Sequence, residues 1–198
     1  MITAEPEPSR HTAEREREKY RKMWTEIPGY RANSPGEKLV KTFLDHAQWD
    51  KGDTLIDCGS GTGRAAKRLD EAGFNVLMLD ITRTATDIDN RLTFVAACLW
   101  DMPFKQRFDW VYCCDVLEHI PTEHVDAVLD NLRDMTGYGA FMQIALFPDG
   151  FGQRIGQTLH LTVKPADWWL EKIQKRWLVK WSAVNEGSHL VTLTGEAR

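Results

Sequence analysis

The stretch DTLIDCGSGTGR, residues 53–64, constrains the fold more than any other part of the chain. An apolar run ends on three glycines, Gly59, Gly61 and Gly63, and a helix-like segment follows at 63–72. Glycines at such a junction permit a sharp strand-to-helix turn and let a ligand approach bare backbone. Arg64 stands where GxGxxG has its third glycine, which argues against a nicotinamide or flavin fingerprint. The absence of GK[ST] excludes a P-loop. Asp80 closes the next apolar run, and a carboxylate at a strand's C-terminal end faces the ligand crevice and can hold ribose hydroxyls.

Around this junction the chain alternates. Strand-like runs occur at 53–58, 74–79, 92–97, 108–114 and 139–147, with helical segments at 63–72, near 84–89, and at 121–136 between Pro121 and Gly137. Such alternation predicts a doubly wound, mostly parallel sheet with helices on both faces. PADWWLEKIQKR (165–176) reads as a helix, and 177–184 and 188–194 read as a hairpin joined by NEG, an antiparallel end to the sheet. Trp177 and Trp181 are expected on one face of their strand. SPGE at 34–37 predicts a helix start capped by Ser34 and Glu37. Upstream, Tyr20, Met23, Trp24 and Ile27 form a helical stripe. The expected organisation is a flexible arm over 1–18, then a single domain over 19–198 whose first segment, about 19–36, is a helical lid.

The 198 residues suffice for one core, and the net charge of −4 does not point to nucleic acid. Only a local basic patch would leave nucleic acid open as a partner. No apolar run reaches a membrane span, no secretory signal is visible, and four cysteines without CxxC spacing predict free thiols in a reducing, cytoplasmic setting. The oligomeric state is open.

LIDCGSGTGR, Asp80 and FDWVYCCDVLEHIP together resemble class I S-adenosylmethionine-dependent methyltransferases, over roughly residues 37–147. The resemblance implies a seven-stranded sheet with an antiparallel last strand. It implies that Asp57 binds the cofactor's amino group, that Gly59, Gly61 and Gly63 line its methionine moiety, and that Asp80 binds its ribose. Cys98 stands where the family usually carries an acid for the adenine amino group, with Asp101 three residues later. Leu99 then offers a backbone N–H to the adenine, Trp100 a ring, and Asp115 borders the cofactor at the end of the fourth strand.

The segment CCDVLEHIPTEH (113–124) keeps three readings open. Glu118 and His119 cap the following helix; or Asp115 or His119 is a general base; or Asp115, Glu118, His119 and the distal His160 hold a divalent cation. The last pattern is similar to that of small-RNA 2′-O-methyltransferases and ubiquinone-pathway O-methyltransferases. Cys113 and Cys114 are expected in the core, and His124 toward solvent.

The chain lacks [DN]PP[YFW] and a Pro-Cys nucleophile, so a small-molecule or nucleotide-type acceptor, methylated at oxygen, is expected. The competing readings are an RNA 2′-O-methyltransferase and a non-catalytic cofactor-binding partner subunit. Acceptor-pocket candidates are Tyr20, Trp24, Tyr30, Arg31, Phe147, Phe151, Arg154, His160, Trp168 and Trp169. The glycine-bearing stretch 148–157 is expected as a mobile loop.

Overall fold

A computed structural model of the protein describes residues 12–87, 91–103, 105–186 and 188–197. Seven strands form one sheet: β1 Thr54–Cys58, β2 Asn75–Asp80, β3 Thr93–Ala96, β4 Phe108–Cys114, β5 Thr136–Ala145, β6 Trp177–Asn185 and β7 His189–Ala197. Their order is β3-β2-β1-β4-β5-β7-β6. The first five pair in parallel, and β7 lies antiparallel between β5 and β6. The expected mostly parallel sheet with an antiparallel C-terminal strand is present. The strand order reverses between β1 and β4, and ligand crevices in open α/β sheets form where this happens.

Buried strands alternate between two cores. Leu55, Trp110, Tyr112 and Phe141 face one layer with Val40, Phe43 and Leu69, from helices α3 (Pro35–His46) and α4 (Arg64–Ala72). Ile56, Val111, Cys113 and Met142 face the other, with Val128 and Leu132 of α5 (Val125–Met135) and Trp169 and Ile173 of α6 (Ala166–Gln174). Phe43 lies at ring contact with Phe74, Trp110, Tyr112 and Phe141 at centroid distances of 5.5–5.7 Å. Cys113 and Cys114 point to opposite faces, Cys113 fully buried and Cys114 partly. Among the described residues no helix is long and apolar enough to cross a membrane.

Several local readings need correction. The first helix, α1, spans Ala13–Glu26, so residues 13–18 are not an arm; residues 1–11 of the expected arm lie outside the described residues. Thr12 accepts the Arg15 N–H, and Glu14–Arg17, Glu16–Lys19 and Glu18–Arg21 pair one helical turn apart, which turns the charged run into helix. Glu16 and Lys19 are themselves buried. A short helix α2 follows at Pro28–Ala32.

Ser34 makes no side-chain cap, and Glu37 instead accepts from Arg68 of α4 at 2.8 Å. The segment 121–136 divides into a 3₁₀ turn, Thr122–His124, and α5. β5 begins directly at Thr136, so Gly137 belongs to the strand, where a Cβ would come within 2.9 Å of the Phe108 carbonyl. Near 84–89 only a 3₁₀ turn, Arg83–Ala85, is found, and 88–90 lie outside the described residues. Register shifts in β6 send Trp177 and Trp181 to opposite faces, Trp177 toward α6 and Trp181 against His46 of α3.

Candidate active site

The glycine loop sits at the switch point. Gly59, Gly61 and Gly63 adopt φ of 74°, 49° and 80°, the left-handed region open to glycine. Gly59 and Ser60 donate to the Leu79 carbonyl at 2.7 and 3.0 Å, which stitches the loop to β2. Gly59 also passes so close to Val116, beyond β4, that a Cβ there would overlap its Cγ2 methyl. Asp80 accepts the Gly61 N–H at 2.9 Å and the Thr82 N–H at 3.1 Å. Burial pushes its carboxyl up, and these backbone donors pull it back.

Asp57, at the end of β1, is 3% exposed and takes the Ala66 N–H from the first turn of α4. Its Oδ2 has no hydrogen-bond partner. Burial, then the charge of Asp80, pushes its carboxyl up to about 7. A buried carboxylate oxygen with nothing to accept from is the complement of a cationic donor.

Cys98 and Leu99 are buried on the cavity wall, and burial pushes the Cys98 thiol up to about 11. Asp101 closes a turn onto the Cys98 carbonyl at 3.0 Å with its side chain exposed, so it does not fill the place of the missing acid. Trp100 lines the cavity and stacks on His124 at 4.8 Å; His124 is therefore half-buried rather than solvent-facing.

Beyond the crevice stand the groups of the β4 loop. Asp115 has φ of 55°, unusual for a residue with a Cβ. It accepts from Gln143 Nε2 at 2.5 Å and lies 3.8 Å from His189 Nε2. Burial pushes its carboxyl up to about 6, opposed by His189 and Gln143. Glu118 is fully buried beside Asp115, and burial with the charge of Asp115 pushes it well up.

His119 Nδ1 lies 2.7 Å from the Tyr20 hydroxyl and 3.2 Å from the Leu159 carbonyl, and His160 Nδ1 lies 2.6 Å from the Phe147 carbonyl. A carbonyl only accepts, so the Nδ1 that bonds one carries a proton, and Nε2 is the ring nitrogen left for a ligand. Burial, then His160 and Lys19, pulls His119 down to about 3, which keeps it neutral. Donor atoms of Glu118, His119 and His160 lie within 4.8 Å of one another. Asp115, expected as a fourth ligand, is not in that group; its carboxylate accepts from Gln143. Imidazoles oriented by backbone carbonyls beside a carboxyl group form a mixed nitrogen and oxygen donor set suited to Mn, Fe or Zn.

α1 and α2 cover the site. Arg17 donates to the Ile81 carbonyl at 3.2 Å. Arg31 donates to the Thr84 carbonyl, to the Ala85 carbonyl at 3.0 Å and to Asp87 at 2.7 Å, which fastens α2 to the loop after β2. On the inner side of this cover Trp24, Tyr30 and Phe151 are in ring contact at 4.6 and 5.6 Å, and the cavity measures about 350 Å³.

Of the acceptor-pocket candidates, Tyr20, Trp24, Tyr30, Phe147, Phe151 and His160 line the cavity. Arg31 turns away, Arg154 packs over Phe151, and Trp168 and Trp169 belong to the α6 core. The stretch 148–157 contains a 3₁₀ turn, Gly152–Ile155, and is tied down by Asp149, which accepts from Gly152 and Leu159 at 2.6 and 2.8 Å. His189, Gln143 and Asp149 were not legible as site residues. His189 arrives only because β7 inserts beside β5, and no local signal marks that.

Residues 55–139 match the family described as "Methyltransferase domain". No curated protein sequence matches the chain. Among solved structures, the 1,6-didemethyltoxoflavin-N1-methyltransferase of Burkholderia thailandensis, with bound 1,6-didemethyltoxoflavin and S-adenosylhomocysteine, is similar at TM-score 0.70 and 14% identity, over 98% of this chain and 94% of that one. The magnesium protoporphyrin IX methyltransferase of Synechocystis PCC 6803, with bound S-adenosylmethionine, is similar at TM-score 0.68 and 14% identity, over 96% and 99%. The N-methyltransferase NodS of Bradyrhizobium japonicum WM9, in complex with S-adenosylhomocysteine, follows at 0.65 and 13%, over 90% and 96%. The fold is that of S-adenosylmethionine-dependent methyltransferases, and the neighbours differ in acceptor.

Proposed function

From a methyltransferase domain on this fold, we propose that the chain transfers the methyl group of S-adenosylmethionine to an oxygen of a small-molecule or nucleotide-type acceptor. The observation that carries the reading is Asp57 Oδ2, buried and unpartnered beside a three-glycine loop and Asp80. The residues fit the cofactor: Asp57 receives the ammonium, Gly59, Gly61 and Gly63 admit the methionine chain, and Asp80 accepts the ribose hydroxyls. Cys98 and Leu99 form the adenine wall. Bound S-adenosylmethionine supplies a methyl group already activated on a sulfonium.

The protein's own part is to align the acceptor and take its proton. Asp115, at the mouth of β4 between crevice and acceptor cavity, is assigned that proton. Glu118, His119 and His160 are assigned a divalent cation, supported by the two Nδ1–carbonyl contacts that leave Nε2 free. Such a cation would act as a Lewis acid that lowers the pKa of an acceptor hydroxyl.

Calorimetry with S-adenosylmethionine and S-adenosylhomocysteine tests the first part; no binding at millimolar ligand overturns it. Turnover by the purified chain alone against a metabolite pool separates the enzyme from a non-catalytic partner subunit. Elemental analysis should find one cation that His160→Ala loses, and an unchanged load in that variant refutes the ligand assignment.

A further inference from the structure

Two strings of rings line the cavity outside the cofactor crevice. Trp24, Tyr30 and Phe151 form one, on the side of α1 and α2. Tyr20, His119, His160, Phe147 and His189 form the other, with successive centroids 4.7–5.7 Å apart. These rings are only partly buried by their neighbours, so their free faces border the cavity. Rings of this kind hold a flat guest by stacking and edge contacts.

The walls carry carboxyl groups beside the imidazoles of His119, His160 and His189. Glu16, Asp57, Asp80, Asp115, Glu118 and Asp149 line the cavity, and among the described residues no Lys or Arg does. The cations close by are directed elsewhere. Lys19 pairs with Glu16 and reaches toward the Thr158 carbonyl at 3.4 Å, Arg17 and Arg31 bind the loop after β2, and Arg154 lies over Phe151. Lys38 of α3 acts on Asp115 without lining the cavity. Asp149 accepts from the Gly152 and Leu159 N–H groups of its own loop. A carboxylate or phosphate on the acceptor would be desolvated beside Asp115 with no Lys or Arg on the wall to meet it.

We propose that the acceptor is a flat aromatic or heteroaromatic molecule that carries no fixed anionic group. The proposal rests on the methyltransferase reading only to identify this cavity as the acceptor's, and it removes phosphate-bearing nucleotides from the acceptor class.

The test is binding of three matched probes, 2-naphthol, 2-naphthoate and decahydro-2-naphthol, to the full chain. Binding is read by calorimetry with saturating S-adenosylhomocysteine and a chelator, so that no cation holds the carboxylate. S-adenosylhomocysteine binding is measured first, and its failure counts against the methyltransferase reading rather than this one. The expected result is that 2-naphthol binds about tenfold or more tightly than 2-naphthoate, since even about 1.4 kcal/mol of unpaired charge burial gives that ratio. It should also exceed the saturated alcohol. Phe151→Leu should lose the preference for the flat alcohol while S-adenosylhomocysteine binding persists. Naphthoate equal to or tighter than naphthol, no preference for the flat ring, or no probe binding at millimolar concentration each overturns the proposal.

Discussion

Asp57→Asn separates what the cavity requires from what the fold requires. In the folded chain Asp57 is held at about 7 against an ordinary 3.8. At about 1.4 kcal/mol for each tenfold, its ionisation costs the folded state on the order of 4 kcal/mol. The sign follows from proton binding. Between pH 4 and 7 the folded chain keeps a proton that the unfolded chain releases, so stability falls as pH rises through that window and is flat above it. Asparagine keeps an oxygen for the Ala66 N–H and has no charge to desolvate. The variant should therefore match the parent near pH 4 and exceed it above pH 7 by up to about 4 kcal/mol, roughly 10 °C in Tm for a chain of this size. Cofactor binding should move the other way. Loss of a charge-assisted bond to an ammonium removes about 1.5–3 kcal/mol, which is about 10- to 150-fold in Kd for S-adenosylhomocysteine above pH 7. The parent should also weaken below pH 7 by up to about tenfold per pH unit, a dependence the variant lacks. Thermal melts and calorimetry across pH 5–8.5 read both. A variant less stable than the parent at pH 8, or equal to it in S-adenosylhomocysteine affinity, refutes the assignment.

Gly59→Ala should destabilise the chain by about 1–3 kcal/mol and weaken cofactor binding, because its Cβ overlaps Val116 and its φ is 74°. Adding Val116→Ala should relieve the overlap but not the backbone strain, so chemical denaturation should show partial recovery. Phe43→Ala should cost about 3–5 kcal/mol in the same assay, since the ring is fully buried among four other aromatic rings.

The sheet and the glycine-lined crevice were legible because each is written locally. Apolar runs ending in Gly59 or Asp80 announce both the strand and the loop at its end. The start of α1 was not, because hydrophobic periodicity does not register charged residues that pair one turn apart, and Glu16 and Lys19 are buried as an ion pair. The opposite faces of Trp177 and Trp181 depend on register shifts against β7, which alternation alone cannot reveal. The association of His160 with Glu118 and His119 was foreseen through a resemblance. The contact between Asp115 and His189 was not, since it joins residues that share no motif and meet only through strand order.

That strand order also divides the pairing into local and long-range parts. β7 is the last strand in chain order, yet it fills an interior position, and within the sheet β6 pairs with no other strand. β6 enters the sheet only through its hairpin with β7, and seating β7 on β5 joins segments about fifty residues apart. Long-range pairing of this kind is slow. The same strand delivers His189 to Asp115, so this part of the cavity wall depends on a long-range pairing, whereas the glycine loop is built from neighbouring parallel strands.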